Sequence, residues 1–254
     1  MNRECSGPAA VEIVNPNGKA PILLTCEHAS NSVPEGISLG VSPCDLESHI
    51  GYDIGAAAVT RRLAQLLDAP AILSRYSRLV IDCNRPLPSS ESIPDTVAGI
   101  VIPGNRDLPE AQREQRARLY FQPFHDAVAE MLAQRDPNGD HLLVSIHSFT
   151  PRLANVERPW DVGILQRQSP ATGEAMVAAF RQAGMNAISN QPYQIEDETD
   201  ATLPLHGEAW GRPAVLVELR QDKLGSIAGI ETWAARTVAA VRAALQCERQ
   251  SDGN

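Results

Sequence analysis

Two histidines stand at the ends of apolar runs in this 254-residue chain. Pro21-Ile22-Leu23-Leu24-Thr25-Cys26 runs into Glu27-His28-Ala29-Ser30-Asn31, and His141-Leu142-Leu143-Val144-Ser145-Ile146 runs into His147-Ser148. A third run, Ala214-Val215-Leu216-Val217, carries Glu218 and then Leu219-Arg220. Neutral imidazole is a common zinc ligand, and a catalytic zinc keeps three protein ligands and leaves one position for water. A glutamate inside a strand is costly to bury unless paired, and beside a metal it can act as the base that takes a proton from water. These residue types point to metal-assisted hydrolysis. The plain alternatives are hydrogen-bonded histidines at strand ends and a structural ion pair between Glu218 and Arg220 or another arginine.

The third ligand has three candidates, Asp53, Glu27 and His49. A carboxylate would complete a set of two histidines and one acid, which hydrolytic zinc sites use. Glu27 adjoins His28, and neighbouring residues on a strand point to opposite faces. Asp53 stands at the mouth of a helical pattern facing the sheet end and is preferred, with a helix cap as its alternative role. Arg78, Asn84, Arg85 and Arg220 form a candidate anion pocket, because guanidinium meets carboxylate through two parallel hydrogen bonds. Any single arginine is more often a surface charge. His206 is a candidate for binding substrate or polarising a carbonyl, against an inert loop histidine. His49, set aside in favour of Asp53, reads as structural with His125 and His141. Cys26 is a poor nucleophile, since no helix N-terminus is evident to activate it.

These groups need elements to position them. Apolar runs of strand length alternate with helical patterns, which is the signature of a largely parallel or mixed sheet between helix layers. In such sheets reactive groups collect beyond the carboxyl ends of the strands. Strands are expected at 11–14 (an edge), 21–26, 71–73, 79–82, 141–147, 161–165, within 186–193, and at 214–219. Helices are expected from Pro43–Asp45 through Leu67, over 109–135 with a kink at Pro123, over 170–183, and over 226–246. Residues 136–140 read as a turn and 194–210 as a polar loop. Residues 87–108 are long, irregular and framed by prolines, as a functional or mobile loop is. The expectation is one hydrolase domain over 1–254, with loose tails at 1–10 and 248–254.

An apolar fraction of 43% is ordinary for a globular protein. The net charge of −9 argues against a nucleic-acid binder, yet allows a locally positive pocket for a small anion. No run reaches the length of a membrane span, and Met1-Asn2-Arg3-Glu4-Cys5-Ser6 has no apolar core of a signal peptide. Five cysteines, an odd number without a CxxC pair, fit a reducing cytoplasm and not a cysteine zinc site.

Five motifs resemble the N-formylglutamate amidohydrolases. They are Cys26-Glu27-His28-Ala29-Ser30-Asn31, Gly51-Tyr52-Asp53-Ile54-Gly55, Ser77-Arg78-Leu79-Val80-Ile81-Asp82-Cys83-Asn84-Arg85-Pro86, Ser145-Ile146-His147-Ser148-Phe149 and Val217-Glu218-Leu219-Arg220. The third is the most specific. The resemblance spans roughly residues 20–245 and implies a fold similar to zinc-dependent carboxypeptidases, a three-layer α/β/α arrangement with a mixed, largely parallel central sheet. It implies His28 and His147 as zinc ligands, Glu218 as base, and Asn84 with Arg85 on the substrate carboxylate, with Arg78 or Arg220 assisting. The carboxypeptidases place a carboxylate ligand three residues after the first histidine. This chain has Asn31 there, so the analogy points to Asp53. The implied reaction converts N-formyl-L-glutamate and water to formate and L-glutamate, with one zinc per chain, or Mn²⁺, Co²⁺ or Ni²⁺ on the same donors. The same groups would serve a deacylase or carboxypeptidase-like enzyme acting on another small anionic N-acyl amino acid or on a peptide. A non-catalytic anion-binding protein is the rival of another class, and it would need none of His28, His147 and Glu218.

Overall fold

The computed structural model describes residues 9–136 and 139–251. In chain order the elements are β1 (Val11–Val14), β2 (Ile22–Cys26), α1 (Pro43–Leu46), α2 (Ala56–Leu67), β3 (Ala71–Ser74), β4 (Thr96–Val97), β5 (Ile100–Val101), α3 (Glu110–Arg116), α4 (Gln122–Arg135), β6 (Leu142–Phe149), β7 (Arg152–Leu153), β8 (Val156–Glu157), β9 (Val162–Leu165), α5 (Pro170–Gln182), β10 (Ala187–Ser189), β11 (Ala214–Arg220) and α6 (Ile227–Ser251). Among the described residues the main sheet has seven strands in the order β1-β3-β2-β6-β11-β9-β10. β3, β2, β6 and β11 run parallel. The edge strand β1 is antiparallel to β3, and the β9–β10 pair runs against β11. β2, β6 and β11 are adjacent, so the three strands carrying His28, His147 and Glu218 finish side by side.

The strand residues are almost continuously buried because helices cover both faces. Leu24, Val144, Ile146, Val215 and Val217 face one layer, packing with Val59 and Leu63 of α2, Met176 and Phe180 of α5, and Trp233 and Val241 of α6. Leu23, Leu143 and Leu216 face the other, against Phe124, Val128 and Leu132 of α4. The alternation of a pleated strand then places Glu27, Ser145, His147 and Glu218 on the α4 side.

Several sequence expectations are corrected. The helix expected from Pro43 to Leu67 is two helices. Ser42 caps α1 through its hydroxyl, and the chain then breaks at Gly51 and Gly55. A Cβ on Gly51 would land inside the contact radius of the Leu46 carbonyl oxygen, and Gly55 has a positive φ of 84°. Residues 79–82 are a turn, not a strand, closed by the Val80 amide on the Ser77 carbonyl at 2.9 Å. Leu79, Val80 and Ile81 owe their apolar character to a separate cluster with Leu39, Ile50, Ile93, Ile102 and Phe121. The expected kink at Pro123 spreads over Ala117–Phe121, a wide helical turn that joins α3 to α4. Within 194–210 lie two further helical turns, Leu203–Gly207 and Glu208–Trp210. Residues 248–251 continue α6, where Glu248 accepts a hydrogen bond from the Thr172 hydroxyl of α5. The rest of the expected tails, at 1–8 and 252–254, and the middle of the 136–140 turn lie outside the described residues.

Candidate active site

His28 follows β2, His147 lies within β6, and Asp53 sits in the break between α1 and α2. The Asp53 amide donates to the His28 carbonyl at 3.0 Å, and its Oδ2 accepts the Ser148 amide at 3.2 Å. These bonds pull the carboxylate onto the sheet end, so it caps no helix. Its Oδ2 is 2.8 Å from His147 Nδ1 and 3.3 Å from His28 Nδ1. One donor atom from each of the three residues falls within 4.8 Å of the others.

The far nitrogen of each ring is held by another carboxylate. His28 Nε2 lies 2.7 Å from Asp82 Oδ1, and His147 Nε2 lies 2.9 Å from Glu27 Oε2. An ionised carboxylate only accepts, so both Nε2 atoms carry the proton and donate. Each Nδ1 faces Asp53: a proton there is donated to that carboxylate, and without it the two lone pairs and Asp53 leave three electron-rich groups around one point. Such a set is satisfied by a proton or by a divalent metal, and two imidazoles with one carboxylate suit a transition metal. Carboxylates behind ligand histidines fix their orientation and raise their basicity. Sequence reasoning weighed Glu27 only as a metal ligand, not as the partner of His147, and did not single out Asp82. Glu27 does point away from His28, as its strand neighbour should, and thereby reaches His147 on the adjacent strand. Asp82 comes from the turn at 79–82, tied by the Asn84 amide to Oδ1 at 2.9 Å and by Arg78 to Oδ2 at 2.7 Å.

The electrostatics follow from burial and these contacts. Burial works against a charged Glu27, but the hydrogen bonds from His147 and Ser145 outweigh it and hold the carboxyl at about 2. Burial opposes the charge of Asp53 and Asp82 as well, and the histidines, with Arg78 at Asp82, pull both well below the usual range. Burial lowers His147, and its bonds to Asp53 and Glu27 reverse that and raise it well above an ordinary histidine. Glu218, paired in register with His147 on the next strand, is different. Burial lifts its carboxyl to about 7, with the Asp53 charge adding to the shift, and Glu218 Oε2 has no hydrogen-bond partner among the described residues.

A cleft of about 790 Å³ opens over these groups and is lined by His28, Asp53, His147 and Glu218 at its floor. Val97, Ala98 and Ile100 of the β4–β5 hairpin form part of its wall, as do Arg152, Leu153 and Ala154 of the β7–β8 hairpin. Arg78, Asn84 and Arg85 line it too. His49 also lines it but is not one of the three converging donors. His206 and Arg220 are not brought to the cleft. His206 is buried against His125, Nε2 to Nδ1 at 2.9 Å, and Arg220 pairs with Asp222 at 2.9 Å. Asn84 is occupied inside the fold: its Nδ2 donates to Asp200 at 3.1 Å, and its Oδ1 accepts the Ala201 and Thr202 amides.

A model of the N-formylglutamate amidohydrolase family matches residues 20–224. No curated protein matches the chain. Among solved structures, a gene product of Agrobacterium tumefaciens is 37% identical, with a TM-score of 0.90 over 94% of this chain and 95% of that chain. The N-formylglutamate amidohydrolase of Ralstonia eutropha is 17% identical, with a TM-score of 0.72 over 95% of this chain and 99% of that chain. The second likeness bears on the fold alone.

Proposed function

We propose that this chain, which belongs to the N-formylglutamate amidohydrolase family, is a metal-dependent hydrolase of a small anionic N-acyl amino acid, N-formyl-L-glutamate first. The observation that carries the reading is the convergence of two Nδ1 atoms and one carboxylate beside a buried glutamate that has a free oxygen. His28, Asp53 and His147 would hold the metal, with zinc the first choice for this donor set. When bound, a divalent metal polarises the amide carbonyl and lowers the pKa of water. Asp82 and Glu27 keep the two imidazoles in the tautomer that presents Nδ1. Glu218, which lines the cleft, takes the proton from the attacking water and returns it to the leaving nitrogen. A carboxyl near 7 is suited to both transfers at neutral pH. Arg78, braced by Asp82 and 3.7 Å from Asp53 Oδ1, places positive charge beside the carbonyl where negative charge develops.

A second reading is favoured by the cleft. Its size and the apolar side chains Val97, Ile100 and Leu153 on its wall leave room for a larger acyl group or a peptide. No helix among the described residues is long and apolar enough to cross a membrane.

The test combines metal content with turnover. Zinc-supplied protein should carry about one ion per chain and release formate from N-formyl-L-glutamate. Chelation should abolish turnover and zinc should restore it. His28→Ala, Asp53→Ala and His147→Ala should each lose metal. Normal turnover by a metal-free His147→Ala protein would sink the mechanism, and turnover only on larger N-acyl amino acids would select the second reading.

A further inference from the structure

The arginines that the motifs singled out already have partners within the fold. Arg78 is fixed on Asp82. Arg85 Nε lies 3.2 Å from Glu91, and its Nη1 donates to the Thr199 carbonyl. Arg220 is held by Asp222 and Asp161.

Arg158 stands apart. It directly follows β8 on the β7–β8 arm. It is 7% exposed, and it pairs with no carboxylate among the described residues. Its side chain makes one hydrogen bond there, Nη1 donating to the Tyr193 phenol oxygen at 3.0 Å. Its guanidinium carbon lies 4.8 Å from the Tyr193 ring centroid and 6.0 Å from that of Phe149. Both rings line the cleft. None of its nitrogens is both sealed from solvent and partnerless, so the N–H groups not used on Tyr193 keep some solvent contact; Arg158 itself is not in the cleft's lining and stands directly behind the two rings that are. Arg116 supplies the contrast. It too is buried without an acid, but it donates to the Val80 carbonyl and to Asn105 Oδ1, in the loop layer.

The backbone fixes this pair relative to the reacting groups. Gly163 of β9 is the register partner of Glu218. A Cβ there would land inside the contact radius of the Gln191 carbonyl oxygen. Only glycine lets Gln191 lie so close to the sheet, and Tyr193 follows two residues later. Burial raises the Tyr193 phenol pKa, with Glu218 and Asp53 adding to it, which agrees with its seat beside the metal ligands.

We propose that Arg158, steadied by Tyr193 and Phe149, is the anchor for the free carboxylate of an N-acyl amino acid substrate. A buried cation without a counter-charge is costly unless a ligand supplies one. A guanidinium flanked by rings keeps its fork oriented and meets a carboxylate through parallel hydrogen bonds. The inference rests on the hydrolase reading of the same site and assigns its specificity to a residue outside the motifs.

The test is calorimetric binding of N-formyl-L-glutamate, and of its uncharged diamide, to zinc-loaded protein carrying Glu218→Gln, which leaves the ligand intact. The same titrations are made with Arg158→Met, Arg158→Lys or Arg85→Met added. The acid should bind about ten-fold or more tightly than the diamide, Arg158→Met should erase that preference, and Arg85→Met should change it by less than about three-fold. Arg158→Lys keeps a cation without the fork, and an intermediate loss is expected. It decides the matter should the methionine variant not fold. No preference for the acid in the parent, or a preference that survives in both Arg158 variants, overturns the anchor. Turnover by the unmodified enzyme is measured in parallel. If it is absent while the acid preference still depends on Arg158, the anchor stands and the hydrolase reading falls. If turnover is normal while the preference is independent of Arg158, the hydrolase reading stands and the anchor falls.

Discussion

Asp82 and Glu27 touch no substrate in the proposed reaction, yet they decide which nitrogen each imidazole offers. If Asp82→Asn or Glu27→Gln removes the negative acceptor behind a ligand histidine, the ring loses both its tautomer bias and part of its basicity. Each variant should therefore weaken zinc binding by about 10–100-fold, read by competition with a chromophoric chelator, while the fold persists. Unchanged affinity in both would mean that Ser148, through Asp53, suffices to orient the site. Glu218 makes the opposite prediction. It is not one of the three converging donors, so Glu218→Gln should retain metal, leave KM nearly as it was, and lower kcat by about 10²–10⁴-fold. A parallel loss of metal would instead make Glu218 a ligand.

The element that matters most for assembly is the interruption between α1 and α2. A continuous helix would carry Asp53 on a cylinder beside the sheet, whereas the break lets the chain turn at Gly51 and dip toward Ser148. Gly51→Ala puts a methyl against the Leu46 carbonyl oxygen, so it should cost about 1–3 kcal/mol of stability and weaken metal binding as well. A calorimetric scan and a zinc titration of the same sample check both, and a loss of stability alone would show that Asp53 holds its place without the turn. The sequence made the strands readable, because residues 22–26, 142–147 and 214–219 are apolar runs that end in groups able to do chemistry. It also made His28, His147 and Asp53 readable as candidates for one centre. It did not distinguish the buried run Leu79-Val80-Ile81 from a strand, since burial by a loop layer and burial by a helix layer leave the same apolar trace. The parts played by Glu27 and Asp82 were hidden for another reason. Which carboxylate meets which imidazole depends on register between β2 and β6 and on a turn 54 residues beyond His28. The same blindness affected the arginines, because Arg220 looks free in sequence and meets Asp161 only when β11 pairs with β9.

For the molecule as a whole, inward-facing ionisable groups set how stability answers to pH. His125 Nε2 donates to the Cys83 carbonyl at 2.9 Å, which leaves its Nδ1 to accept from His206 Nε2. This chain needs both rings neutral. Burial, and then the adjacent His125, push His206 down to about 3, and burial lowers His125 too. An unfolded histidine takes up its proton near 6.5, so between about 6.5 and 3 the unfolded chain binds more protons than the native one. Stability from this pair is complete above that window and is lost as the pH falls through it. Glu218 acts in the opposite sense over an overlapping range. Its folded carboxyl near 7 holds a proton that the unfolded chain, near 4.3, has released, so its contribution declines as the pH rises. A difference measurement separates the two. His206→Gln keeps an N–H for His125 and cannot be protonated, while Glu218 is untouched. Urea unfolding at about pH 7 and about pH 5 should show wild type losing more stability than the variant, by up to about 1.4 kcal/mol per pH unit. Parallel losses would mean that the fold accepts an imidazolium at His206, and that the neutral chain from Cys83 through His125 is not what joins the 203–207 turn to α4.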